Sequence, residues 1–201
     1  MKRRIPLGRT LAIATLAGAA LSALLILQSP SSPTTTSTTA PRKPEEVKQT
    51  ATSYGLPVRL KIPKINVDAH IDQMGLTPEG DMQAPVELQN VGWYKLGPRP
   101  GDIGSAVIAG HFGRSPNGEL PVFEELHTLS AGDIINIEDE KGQVATFVVR
   151  ELQTFSQNEA ALNVFGSNDG KAHLNLITCQ GTWNKTQQTY SDRLVVFSNK
   201  E

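Results

Sequence analysis

The sequence contains a single cysteine, Cys179. A disulfide needs two, so no intrachain crosslink can form, and a cysteine-rich metal site is excluded with it. No charge sign dominates either: nineteen Lys and Arg against twenty Asp and Glu leave a net charge of -1. That balance argues against a general affinity for nucleic acid or for anionic membrane surfaces. No Asp/Glu cluster compels a cation site, so no metal and no cofactor are expected. Long helical patterns are scarce, and thirteen prolines with seventeen glycines punctuate the chain, which favours a β-rich, loop-rich domain.

One long apolar run is present, from Leu11 to Leu27, preceded by the basic cluster Met1-Lys-Arg-Arg and Arg9. It is slightly shorter than the ~20 residues that cross a bilayer and longer than the ~7–15 residues of a signal-peptide core. Two readings stand, a retained single-pass anchor and a cleaved signal peptide, and both place the rest of the chain outside the cytoplasm. Residues 28–53 are rich in Ser, Thr and Pro and bury too little apolar surface to fold, so they read as a tether. The expected organisation is a cytoplasmic basic segment at 1–10, an anchor at 11–27, a linker at 28–53 and one folded domain at 54–201.

Within that domain, short strands are expected at Pro57–Ile62, Ile65–Ile71, Ile103–Ala109, Asp133–Ile137, Val144–Phe155, His173–Cys179 and Arg193–Ser198. A hairpin signal lies around Pro78–Asp81, and brief helical pieces are expected at Val122–Leu126 and Asn158–Phe165. Seven or eight strands without βαβ alternation predict a mostly β fold, a barrel or a sandwich.

Alternation along HLNLITC puts Leu174, Leu176 and Thr178 on one face and Asn175, Ile177 and Cys179 on the other. If this strand pairs antiparallel with SDRLVVF, Arg193 comes close to the thiol, with Val195 and Phe197 on its face. A cation or an imidazole beside a thiol favours the thiolate, the attacking form. A guanidinium can also stabilise an oxyanion in acyl transfer. Of the four histidines, His111 ends the apolar run AVIAG and opens a turn-rich loop, which makes it the local candidate for carrying a proton. His173 lies six residues before Cys179, roughly 20 Å at ~3.3 Å per residue, too far for direct transfer. His70 and His127 read as surface or capping groups. Taken singly, each residue also has a plain structural reading, since a free cysteine packs like a small hydrophobe.

At these residues the sequence resembles the sortases, cysteine transpeptidases of Gram-positive cell surfaces. Their strand-end signature TLxTC is met by Asn175-Leu-Ile-Thr-Cys179, departing only at its first position, with Gly110-His111 upstream and Arg193 fourteen residues downstream. The resemblance spans residues 54–201, and the compact domain looks most like class F, or neighbouring class E, enzymes of actinobacteria. It implies a closed sortase-type β-barrel of seven to eight strands with short helices and long loops. It also implies that Cys179 attacks the carbonyl after threonine in an LPxTG-like sorting signal to form a thioester. His111 would serve the departing and incoming amines, and Arg193 the oxyanion or the substrate. Thr178 would line the site, with Ala109, Ile177 and Val195 on its floor. The implied partners are secreted proteins with a C-terminal sorting signal and the amine of a peptidoglycan precursor. Two rivals remain. One is a non-catalytic surface β-barrel that binds a wall component. The other is a different cell-wall cysteine transpeptidase, whose L,D-type motif would put His and Gly immediately before the cysteine.

Overall fold

The computed structural model describes residues 54–159 and 162–201. The basic segment, the apolar run at 11–27 and the linker at 28–53 lie outside the described residues. Among the described residues no helix is long and apolar enough to cross a membrane.

Eight strands close into a barrel. They are β1 (Pro57–Ile62), β2 (Val67–Met74), β3 (Val91–Tyr94), β4 (Gly104–Gly110), β5 (Ile134–Asp139), β6 (Val144–Ser156), β7 (Ala172–Asn184) and β8 (Thr189–Lys200). Around the barrel the order is β1-β2-β3-β4-β7-β8-β6-β5, and β5 pairs back onto β1. Closure gives every strand a neighbour on both sides over at least part of its length. Among the described residues, the helix α1 (Leu162–Phe165) and 3-10 turns at Pro63–Ile65 and Leu126–Thr128 complete the regular structure.

Period-two patterning decides which side chains fill the barrel. Leu60, Ile62, Ile71, Trp93, Ile108, Ile137, Phe147, Leu174, Leu176 and Val196 point inward and belong to one buried cluster. Phe123 and Leu126, from the segment after β4, are fully buried in the same cluster. A second apolar cluster lies elsewhere: Val107, Val164, Val195 and Phe197 pack together, with Met82, Phe155 and Ile177 against them. Its β4, β7 and β8 members alternate with the inward residues, so it covers the outer face of those strands and seats α1 there.

The structure departs from the sequence expectations at several places. Pro63–Ile65 forms a 3-10 turn, so β2 begins at Val67 rather than Ile65. The Val122–Leu126 piece is a turn, with 3-10 geometry only at Leu126–Thr128. Of the Asn158–Phe165 piece, helix is present at Leu162–Phe165. β3 was not expected at all. Residues 180–190, between the two strands expected from sequence, are largely strand: β7 and β8 extend as a two-stranded ribbon, with Trp183 opposite Tyr190 and Asn184 opposite Thr189.

Two carboxylates tie loops to the barrel. Asp139 is 4% exposed and accepts backbone N–H bonds from Gly55 (2.6 Å), Lys141 (2.8 Å) and Gln143 (2.8 Å). Burial alone would raise its pKa, but these three donors outweigh it and the carboxyl is held low. Asp169, just before β7, accepts from His173 Nε2 at 3.0 Å, from the Lys171 N–H at 3.0 Å and from the Ser167 hydroxyl at 3.2 Å. The His173 bond is the largest cause holding the Asp169 carboxyl at about 2, against 3.8 for an ordinary aspartate. A depressed carboxylate contributes stability that is fully present above the unfolded pKa and is lost as pH falls through the folded one. Asp169→Asn is therefore expected to lower the thermal midpoint at pH 7. Its deficit should shrink as pH drops from about 4 to about 2, read by thermal denaturation of both proteins across that range.

Candidate active site

The thiol's surroundings follow from strand register. On β7, Leu174 and Leu176 are in the interior cluster while Ile177 packs in the outer one, so Cys179, two residues on, lies on the outer face. Cys179 and Arg193 are direct register partners across the antiparallel β7–β8 pair. The parallel β4–β7 pair aligns Ala109 with Ile177. His111 directly follows the last residue of β4, beyond the paired positions. Three residues separated by up to 82 positions in the chain thus stand at or just past the same ends of three adjacent strands.

Cys179 and Arg193 border a cleft of about 590 Å³ on the outer barrel face, and His111 lies just outside its lining. Cys179 and Arg193 stand at one part of its lining, and Ala109, Gly110, Ile177, Thr178 and Val195 contribute to it. Phe155 and the segment Asp81–Ala84 form walls, and Val164 with Phe165 of α1 close it further. Cys179 is half-buried and free, so the sulfur is not sealed among aliphatic groups. Thr178 is only 3% exposed. Its hydroxyl donates to the Gly110 carbonyl at 2.8 Å, which fixes the end of β4 beside the nucleophile strand.

The polar partners are internally bonded. Arg193 Nη1 donates to the carbonyls of Tyr190 (3.1 Å) and Asp192 (2.9 Å), and Nη2 to Thr189 Oγ1 (3.1 Å). His111 Nε2 lies 2.7 Å from the Pro85 carbonyl oxygen. Its own carbonyl accepts the Phe123 N–H at 3.1 Å. Among the described residues neither side chain is hydrogen-bonded to the thiol. Gly110 is held close by packing, since a Cβ there would run into the Phe123 ring. Gly113 has φ +87°, and a side chain there would meet the Tyr190 hydroxyl, so the loop after His111 lies against the β7–β8 ribbon. Phe112 and Trp183 both meet the Tyr190 ring edge-on, at 5.4 and 5.0 Å.

The other histidines stand apart. His70 and His127 are exposed. His173 is 8% exposed and is bonded to Asp169 and Asn199. Among the described residues no cluster of three or more His, Cys, Asp or Glu converges in a way that could hold a metal ion.

Sequence reasoning missed the Asp81–Pro85 segment, the α1 wall and the Phe112–Trp183–Tyr190 group. One signal was available. Asn175, the departure from the strand-end signature, is 2% exposed, and its Nδ2 donates to the Val164 carbonyl at 2.6 Å. It therefore pins α1 over the cleft. Asn175→Ala is expected to cost about 1–3 kcal/mol, because it leaves a buried carbonyl without its donor. It should also raise KM for a cleft-binding peptide more than it lowers kcat, measured by denaturation and by steady-state kinetics.

The closed eight-stranded barrel, with a half-buried thiol register-matched to an arginine, is the fold and site to set beside known proteins. The model of the sortase domain family matches residues 60–201, and the chain belongs to the sortase family. It is similar in fold to sortase C-1 from Actinomyces oris, with a TM-score of 0.56 and 23% identity, covering 72% of this chain and 74% of that one. The Clostridium perfringens sortase D5 transpeptidase gives a TM-score of 0.53 and 22% identity, over 73% and 79% of the two chains. Sortase A from Corynebacterium diphtheriae gives 0.53 and 21%, over 74% and 62%. No curated protein matches the chain by sequence.

Proposed function

We propose that this protein is a sortase-type cysteine transpeptidase that cleaves an LPxTG-like sorting signal after threonine and passes the acyl group to an amine of a cell-wall precursor. The observation that carries the reading is the pairing of Cys179 with Arg193 at the rim of an apolar-floored cleft. An extended peptide can lie along Ile177 and Val195, with its carbonyl carbon at the sulfur. The thiolate adds to that carbonyl, and the oxyanion is met by the Arg193 guanidinium once it turns from its own strand's carbonyls. Collapse breaks the threonine–glycine C–N bond, His111 gives a proton to the leaving amine, and a thioester remains. The incoming amine loses a proton to His111, attacks the thioester, and the thiolate is released. Water in its place gives hydrolysis.

The family and the apolar run at 11–27 support a single-pass membrane protein whose catalytic domain is extracytoplasmic on the 28–53 tether. Its natural partners would be secreted proteins carrying C-terminal sorting signals. We assign it to the class F or E type, on the compact barrel of residues 54–201 and the spacing of its three site residues.

Mass spectrometry after incubation with a quenched LPxTG peptide should show an acyl adduct on Cys179. Absence of both adduct and cleavage, under conditions where a methanethiosulfonate reagent labels the thiol, would remove the LPxTG reading. Arg193→Ala should cut turnover more than tenfold with the barrel intact. Unchanged activity would take Arg193 out of the site.

A further inference from the structure

We infer that Pro85 is a positioning residue for His111: its backbone carbonyl selects the Nε2–H tautomer and couples the imidazole to the peptide-binding wall. The inference rests on the acyl-transfer reading for its kinetic consequence, but its structural part stands without it.

The 2.7 Å contact joins His111 Nε2 to a carbonyl oxygen, which can only accept. The neutral ring must therefore carry its proton on Nε2, and Nδ1 is left as the basic nitrogen. Fixing the tautomer through the far nitrogen is how orienting groups act on imidazoles generally. Here a main-chain oxygen does it. That oxygen is held firmly, because Pro85 is buried and its ring restricts φ. On one side, Gln83 is latched to Gly75 by two bonds: its N–H donates to the Gly75 carbonyl at 3.0 Å, and Gly75 N–H donates to Gln83 Oε1 at 3.0 Å. On the other, the Leu88 carbonyl accepts the Val122 N–H at 2.9 Å, and Asn90 Nδ2 donates to Asp72 at 3.0 Å.

The same segment lines the cleft. Asp81, Met82, Gln83 and Ala84 form its wall, and Pro85 follows directly. A peptide pressing on Ala84 thus acts one residue away from the oxygen that holds the base, and one pressing on Met82 three residues away. Cys179 and Arg193 border that cleft, whereas the imidazole is bonded away from it to Pro85. A buried proline with a fixed carbonyl is suited to holding the ring in one form, since a flexible residue would let it take either tautomer.

Two measurements on the full chain in detergent test the assignment. In the first, 15N NMR of histidine-labelled protein reads the His111 tautomer at high pH with no substrate present. Nε2–H as the predominant form is expected, and an Nδ1–H tautomer overturns the proposal even if the enzyme cleaves its peptide well. The second compares wild type with Pro85→Gly and Pro85→Ala, which keep the carbonyl but free φ, and which lie outside the cleft lining. Pro85→Gly should lower kcat about tenfold, at the low end of what a misplaced acid–base group costs, with KM changed less than about threefold. Its 15N spectrum should show a mixed tautomer population, and Pro85→Ala should lie between it and wild type. A wild-type tautomer ratio in Pro85→Gly overturns the proposal. So does a loss confined to KM. If LPxTG peptides are not substrates at all, the tautomer measurements still decide the structural claim and only the proposed function fails.

Discussion

Cys179→Ala is expected to abolish sorting-signal cleavage, with turnover falling on the order of 10⁴-fold or more, because removing a covalent nucleophile removes the pathway itself. The fold should survive. Cys179 is half-buried at the cleft rim, and the interior face of the same strand end is occupied by Thr178, whose bond to Gly110 does not involve the sulfur. Thermal denaturation should therefore show a near-wild-type midpoint. Peptide binding should also persist, since the apolar floor at Ile177 and Val195 is untouched. The informative combination is binding retained, the acyl adduct absent and cleavage absent. A variant that still cleaved at more than a few per cent of the wild-type rate would return Cys179 to the status of a packing residue and favour the binding-module rival.

His111→Ala is expected to cut turnover by more than tenfold, within the roughly 10²–10⁴ range that acid–base groups supply. The effect should fall on kcat/KM and on adduct formation together, because the thioester forms only when the leaving amine is protonated. The backbone at this position keeps its bond to Phe123 N–H, so the loop should hold its course and the barrel its stability. Added imidazole should restore part of the activity by reoccupying the space beside the Pro85 carbonyl. Methanethiosulfonate labelling of Cys179 should continue in the variant. That separates a missing proton carrier from an occluded thiol. Wild-type turnover in His111→Ala would eliminate it as the acid, and attention would pass to another group at the same strand end.

Much of the barrel was legible because its strands carry period-two apolar patterns with turn residues between them. VRLKI, IINIED and the first half of VATFVVRELQTF alternate against a buried interior, while HLNLITC alternates in residue type with both faces covered up to Leu176. β3 was not legible. Only four residues long, it follows the irregular crossover from β2, and its burial depends on parallel pairing with β2. The extended β7–β8 ribbon was hidden for a different reason. From Gly181 to Asn184 the side chains are exposed on both faces, so no alternation marks a strand, and backbone pairing alone makes it one. The helix at Leu162–Phe165 has its seat only once Val107, Val195 and Phe197 are assembled beneath Val164.

By itself the sequence determined the candidates: one thiol at a strand end, an arginine opening the next strand, a histidine closing an earlier one, and a β-rich domain around them. Local patterning suffices for that, because alternation and chain order are properties of neighbouring residues. Only the tertiary structure decided the registers that put Cys179 opposite Arg193 and β4 beside β7, since a shift of one residue would turn every side chain to the other face. It alone also laid the crossover from β2 to β3 across the outer face, where the carbonyl of Pro85 meets His111. That contact spans 26 positions and involves a main-chain atom, which no side-chain pattern can encode.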